Sequence, residues 1–247
     1  MEAMSWSGGK RIIVGCGDMQ IRGFDASGTC QWHCRYENGI PAQLKFIDID
    51  GDGAPELIAG GEIISNQSTC RVLDPDGRML AEVPMEGWTS RMTALSCAWV
   101  DGKSLAISGL TRDENLRCGT FPRSGTDAPL EYQEFFRARL GGGVTGVGWL
   151  TPERYVAACT AQGVPSAFDL SGKKLWSEIL VAPACGLHCF EDGILVFLEG
   201  GSPVIFNAEG DEVGSLRELE GPGIPIELDG SLYLASGKRV VGVGTPS

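Results

Sequence analysis

Apolar and polar positions alternate along this chain in runs of strand length, each cut short by a charge, a Gly or an Asp. The clearest stretch predicts four strands in succession, over residues 42–48, 55–60, 69–73 and 78–83. Similar runs follow at 92–100, 104–108, 116–121 and 130–136, then at 144–150, 155–159, 165–168 and 174–179. A further set covers 186–190, 194–198, 204–206 and 212–216. Before them stands a strand at 11–15, and after them strands at 223–228, 231–235 and 240–244. No helix is predicted.

One turn recurs between these runs. It reads Phe24-Asp25-Ala26-Ser27-Gly28, Leu73-Asp74-Pro75-Asp76-Gly77, Phe168-Asp169-Leu170-Ser171-Gly172 and Phe206-Asn207-Ala208-Glu209-Gly210, with an altered copy in Phe121-Pro122-Arg123-Ser124-Gly125. Taken at positions 25, 74, 122, 169 and 207, the steps are 49, 48, 47 and 38 residues. That is the size of one small antiparallel sheet, and self-similarity at such a period is the mark of a repeat architecture. In each copy the Asp or Asn side chain is suited to bond the backbone two residues on, and the Gly supplies the positive φ that closes a hairpin.

The expected fold is therefore all-β: a β-propeller of about five four-stranded antiparallel blades in one domain over 1–247. The repeats lie near 10–38, 39–87, 88–141, 142–182 and 183–222, with closing strands at 223–247. Because the first repeat reads as starting at its second strand, the C-terminal strands are expected to pair into the first sheet and close the ring, which removes two exposed edges. A solenoid is the rival architecture, and neither end reads as a capping helix.

Composition narrows the function. Thirty-two acidic against 20 basic residues give a formal net charge of −12, which repels nucleic-acid phosphate. No apolar stretch is long enough for a membrane-spanning helix, and no nucleic-acid or membrane partner is expected. The 36 Gly and 13 Pro are spread evenly, which suits short strands and tight turns rather than linkers. Nine cysteines, odd in number and without a C-x-x-C pair, read as small, buried, reduced hydrophobes. The N-terminal residues lack the basic start and apolar core of a secretion signal, and the compartment is left open.

One segment carries metal chemistry. Asp48, Asp50, Asp52 and Glu56 stand at positions 1, 3, 5 and 9 of a Gly-containing loop, and the backbone carbonyl of Ala54 falls near position 7. Calcium takes six to eight oxygens, of which this loop offers most, and the expected cofactor is a structural Ca²⁺. An EF-hand would need an acid at position 12, where Ala59 stands. The bland alternative is an acidic hairpin turn, yet a plain turn needs one Asp and one Gly, and this many carboxylates repel unless a cation neutralises them.

The strand, the acidic loop, a strand ending in Gly and then the Asp-x-x-Gly turn resemble the FG-GAP (VCBS) and PQQ-like propeller repeats. The likeness runs from Asp48 through Gly77 to Leu80, and again over Phe168-Asp169-Leu170-Ser171-Gly172-Lys173-Lys174-Leu175-Trp176. It implies a propeller whose second blade keeps a cation loop between strands. It implies little about function, because that architecture hosts lectins, adhesion modules, scaffolds and some enzymes.

No catalytic set stands out. His33 and His188 are the two histidines, too few for a three-histidine zinc site, and both sit in predicted strands. Gly15-x-Gly17 and Gly141–Gly143 lack the strand-loop-helix setting of a phosphate cradle. A binding face is available in Trp88, Arg91, Arg112 and Asn115, from two loops that follow strand ends of neighbouring repeats, although ordinary solvated loops read the same way. The sequence therefore favours a non-enzymatic binding module for a glycan or a protein. The rivals are a carbohydrate-active enzyme, hydrolase or lyase, built on its abundant carboxylates, and a scaffold subunit of a larger assembly.

Overall fold

The structure, a computed structural model, describes residues 2–6, 9–36, 39–49, 51–63, 68–85, 92–100, 103–110, 114–122, 130–150, 155–190, 193–216, 224–228, 231–236 and 239–243. These residues are all-β, without a helix among them. The first sheet is a meander of β1 (Glu2–Trp6), β2 (Gly9–Cys16), β3 (Gln20–Asp25) and β4 (Cys30–Arg35). The second is β5 (Gly39–Ile47), β6 (Glu56–Ile63), β7 (Ser68–Leu73) and β8 (Met79–Met85). The third is β9 (Met92–Val100), β10 (Lys103–Leu110), β11 (Asn115–Thr120) and β12 (Gln133–Arg139).

The fourth sheet holds β13 (Val144–Leu150), β14 (Tyr155–Thr160), β15 (Val164–Phe168) and β16 (Lys174–Ser177). The fifth holds β17 (Ala184–Phe190), β18 (Gly193–Leu198), β19 (Val204–Asn207) and β20 (Glu212–Ser215). The sixth has three strands, β21 (Ile224–Leu228), β22 (Ser231–Ser236) and β23 (Arg239–Val243). The chain forms two compact units, Met1–Val144 with Leu170–Gly172, and Thr145–Asp169 with Lys173–Ser247.

The two ends correct the sequence reading. The first repeat does not begin at its second strand: β1 pairs antiparallel with β2, from Glu2↔Ile13 to Trp6↔Gly9, and completes the first sheet from its own segment. The C-terminal strands pair with one another in a sheet of their own, so the described residues form six sheets. The segment Glu2-Ala3-Met4-Ser5-Trp6 is too short for its alternation to announce a strand, and its partner strand supplies the order.

Packing follows the sheet succession. In the first unit one core cluster joins Ile13, Ile21 and Tyr36 of the first sheet region to Leu44, Leu57 and Leu73 of the second. Another joins Ile47, Ile58 and Val72 to Met92, Leu95 and Phe121. In the second unit Leu150, Ala157 and Cys159 pack on Ile194, Val196 and Phe206, and Leu195 and Phe197 pack on Leu234. Within each unit successive sheets thus bury faces on one another, which is how a repeat unit too thin to fold alone is stabilised.

The recurring turn is closed by the same kind of bonds wherever it is described. Gly28 N–H donates to Asp25 O at 3.0 Å, Asp25 N–H donates to Thr29 O at 3.0 Å, and Asp25 Oδ1 accepts from the N–H of Ser27 and of Thr29 at 2.9 and 3.0 Å. Asp74 repeats the pattern with Gly77, Asp76 and Arg78, and Asn207 with Gly210 and Asp211. Glycines 28, 77, 172 and 210 have φ of 83°, 82°, 83° and 94°, the left-handed region that L side chains rarely adopt. Most of the altered copy, residues 123–125, lies outside the described residues.

A second repeated device was not legible beforehand. On the fourth strand of each four-stranded sheet one extra residue is inserted, namely Gln31, Leu80, Phe135, Leu175 and Val213. Such a bulge twists the edge and re-aims the next side chain. Three of the re-aimed residues are aromatic, and each lies over the turn glycine of the following sheet. A Cβ on Gly77 would stand 2.5 Å from Trp32 Cε3, one on Gly172 2.8 Å from Phe136 Cβ, and one on Gly210 2.6 Å from Trp176 Cδ2. At the other two places the residue is Ala81 or Gly214. There the following sheet has the altered turn, or none.

Candidate functional site

The acidic loop joins β5 to β6, with Ile47 paired to Glu56 at its base. Asp48 folds it inward: Oδ1 accepts the N–H of Gly51 at 2.8 Å and Oδ2 that of Gly53 at 2.9 Å. Asp52 Oδ1 accepts the N–H of Ala54 at 2.7 Å. Both glycines sit at positive φ, 76° and 86°, and let the chain curl around the Asp48 carboxylate. Beneath this, Glu56 is 5% exposed and its Oε2 accepts the N–H of Ile49 at 2.6 Å.

This donor set is all oxygen, the chemistry of a hard cation, and a carboxylate oxygen that accepts one amide keeps a second lone pair. Among the described residues, no three His, Cys, Asp or Glu side chains converge as a metal-holding group. Asp50 lies outside them. Asp48, Asp52 and the Ala54 carbonyl fit a loop cation in kind, while Glu56 is placed as a buried brace of the loop by its bond to Ile49.

Of the predicted binding face, Trp88, Arg91 and Arg112 lie outside the described residues. Asn115 opens β11, half-buried, and pairs across the sheet with Arg139. His33 lies exposed on β4 opposite Arg22, and His188 lies half-buried on β17 opposite Leu195. The two histidines are not brought together by any strand pairing.

All nine cysteines are free thiols; Cys70, Cys118 and Cys159 are buried, five more are half-buried and Cys30 is exposed, so the expected burial holds for three of them. Burial pushes the thiols of Cys70, Cys118 and Cys159 up to about 12, and Cys189 is raised for the same reason. They are protonated and unreactive at neutral pH.

One charged cluster went unnoticed in the sequence. Arg71, 6% exposed on β7, donates Nε and Nη2 to Glu82 Oε1 at 3.0 and 2.8 Å and Nη1 to the carbonyl of Arg35 at 2.5 Å. Its guanidinium lies 5.3 Å from the centroid of the Tyr36 ring. These contacts tie the first sheet to the second and leave the guanidinium satisfied by protein groups, the arrangement of a structural clamp.

The exposed large apolar side chains show a pattern. Among the described residues they are Met79, Phe135, Leu175, Ile179, Val181, Val213 and Val240. Met79, Phe135, Leu175 and Val213 belong to the fourth strands β8, β12, β16 and β20, Val240 belongs to the end strand β23, and Ile179 and Val181 directly continue β16. Among the described residues, the large apolar side chains left to solvent are therefore on outermost strands or just past one.

The chain matches no protein-family model, and no curated protein matches it. Among solved structures it is similar to Sqt1 of Saccharomyces cerevisiae, with a TM-score of 0.70 and 17% sequence identity over 92% of this chain. The chain covers 66% of the length of that protein. As many as 1254 solved chains share the fold, so the likeness speaks for a β-propeller-like architecture and not for an activity.

Proposed function

We propose that the protein is a non-enzymatic binding module that holds a protein partner on the outer strands of its propeller-like repeats. The single observation that carries this is the placement of the exposed apolar side chains, from Met79 on β8 to Val213 on β20, on the last strands of their sheets. A chain of net charge −12 has ample polar residues to cover its edges. Apolar groups kept on sheet edges invite pairing and are commonly blunted by charge or covered.

In this reading the sheets are blades of one ring, supported by the aromatic-on-glycine contacts between successive sheets within each unit. The Asp48–Glu56 loop binds a structural Ca²⁺ through Asp48, Asp50, Asp52 and the Ala54 carbonyl and stiffens the second blade. The oxygen-only chemistry of Asp48, Asp52 and the Ala54 carbonyl supports that assignment.

Cross-linking mass spectrometry on the full chain in its native extract tests the reading, run beside turnover assays on a polysaccharide panel. Cross-links from outer-strand residues to one protein are expected. Sugar release or unsaturated product from a polysaccharide, with no cross-linked protein, would replace the reading with an enzyme.

A further inference from the structure

The fourth strands share an anchor just beyond their ends. Tyr36 N–H donates to Met19 O at 2.7 Å, Leu140 to Glu114 O at 2.9 Å, Leu180 to Gly163 O at 2.8 Å and Leu216 to Pro203 O at 2.9 Å. In each case an apolar or aromatic residue after the fourth strand is tied to the residue before the third. Met19, Glu114 and Gly163 even share a positive φ, at 64°, 58° and 76°. These four positions are structurally equivalent.

That equivalence supplies an internal control for the residues on either side. The position before the anchor is Arg35, Arg139 and Ser215 in the first, third and fifth sheets, and the position after it is Glu37, Gly141 and Arg217. In the fourth sheet the same two positions are Ile179 and Val181, 83% and 104% exposed. In the sheets where it is described, the position before the anchor is charged or small. Two branched apolar side chains held in water beside an anchored Leu180 are a departure the fold does not need.

The backbone around them is set as an open edge. Glu178 N–H donates to Pro165 O at 3.0 Å and Leu180 N–H to Gly163 O, so β16 in effect runs on, with alternate residues bonded to the β15 side. Antiparallel geometry turns the N–H and C=O of Ile179 the other way, and Val181 follows in a bend just past the run. Glu178 is exposed beside Ile179, and Glu199, also exposed, donates its backbone N–H to Pro183 O at 2.9 Å just beyond Val181.

From this we infer that β16 and its continuation to Leu180, with Val181 just past it, form a docking edge for an extended, cationic segment of a partner protein, which adds as a strand beside Ile179. Its apolar side chains cover those two residues and its Lys or Arg residues meet Glu178 and Glu199. Strand addition takes affinity from main-chain hydrogen bonds and specificity from alternate side chains. The inference rests on the protein-binding reading above and names where and what that partner is.

Three fluorescein-labelled peptides test it by anisotropy on the full chain: alternating Leu and Lys, alternating Leu and Glu, and alternating Ser and Lys. The Leu–Lys peptide should bind, and the other two should bind at least tenfold more weakly. Ile179→Arg with Val181→Glu, which copies Arg35 and Glu37 and leaves net charge unchanged, should weaken the Leu–Lys peptide at least tenfold. Val213→Glu should not. If the double variant misfolds by circular dichroism, Ile179→Ser with Val181→Gly copies Ser215 and Gly141 and serves instead. A Leu–Lys peptide N-methylated at alternate residues should also lose binding.

Equal binding of the Leu–Lys peptide to wild type and double variant would overturn the site while leaving a protein-binding role elsewhere intact. Equal binding of the Ser–Lys peptide would reduce the effect to charge and overturn the apolar edge. Binding of no peptide would overturn the inference, and with no cross-linked protein either it would sink both readings. Self-association of wild type that the double variant abolishes, with no peptide competition, would make the occupant a second copy and contradict it.

Discussion

The indole N–H of Trp32 donates to the carbonyl oxygen of Pro75 at 3.1 Å while the ring lies over Gly77, so one side chain of the first sheet reads both the shape and the polarity of a turn in the second. Trp176 does the same to Ala208, at 2.8 Å, and to Gly210. A glycine without a Cβ makes the close approach possible. The half-buried carbonyl two residues before it satisfies the indole.

Two glycines at the same φ separate conformation from contact. A Cβ on Gly28 meets nothing within 4 Å, whereas one on Gly77 would collide with Trp32. Gly28→Ala should cost only the left-handed strain, about 1–2 kcal/mol, and Gly77→Ala at least about 1 kcal/mol more from overpacking. Combined with Trp32→Ala, the Gly77→Ala penalty should fall, giving a coupling within the range of about 0.5–3 kcal/mol for touching residues. Urea denaturation of the four chains measures it, and additive losses would remove the contact from the stability of the fold.

The turn acid can be exchanged for its amide. Asn207 already fills the Asp position in the fifth sheet and accepts the N–H of Asp211 through Oδ1 at 2.8 Å. Asp74→Asn should therefore keep both amide bonds and lose only the exposed pairing with Arg78, changing stability by under about 0.5 kcal/mol. Asp74→Ala strands those amides and should cost about 1–2 kcal/mol. A thermal melt of the two variants decides between them.

Stability should fall at high pH. The buried thiols of Cys70, Cys118 and Cys159 are held up to about 12 in the fold against an ordinary 9.0. The unfolded chain therefore loses its thiol protons first, and each group's contribution is fully present below pH 9 and lost as pH rises from 9 towards 12. The loss is on the order of 1 kcal/mol per pH unit for each such thiol. Chemical denaturation at pH 8, 9 and 10 should show a steepening decline; a flat profile would mean these thiols are wet.

Calcium should raise the melting temperature if the Asp48–Glu56 loop binds it only when folded, with a Kd on the order of 10⁻⁴–10⁻³ M, as in extracellular modules. Asp52→Asn should blunt the shift. An unchanged melt up to about 10 mM Ca²⁺, and again after chelation, would leave the loop as a turn knit by its own amides.

Much of the fold was readable because it rests on local chemistry. Each Asp-x-x-Gly turn is written in adjacent residues, and the four strands of the second sheet fall where alternation placed them, though β5 starts earlier, at Gly39, and β6 runs on to Ile63. What could not be read depends on partners far along the chain. The strand Glu2–Trp6 exists because Gly9–Cys16 pairs with it. The bulges at Gln31 and Leu175 are visible only from the opposing strand, and they decide that Trp32 and Trp176 cap the next sheet rather than merely begin a return strand. Ile179 looked like the end of a strand. Its exposure became informative only once Arg35, Arg139 and Ser215 were shown to occupy the same place.

One denaturation experiment bears most directly on the division between residues that hold the repeats and residues kept for a partner. Ile179→Arg with Val181→Glu should unfold within about 0.5 kcal/mol of wild type, as substitutions on a free surface do. Trp176→Ala, at a position the repeats share, should lose about 3 kcal/mol, the low end for a packed Trp. A double variant destabilised by more than about 2 kcal/mol would make Ile179 and Val181 part of the folded core and contradict their assignment to an open docking edge.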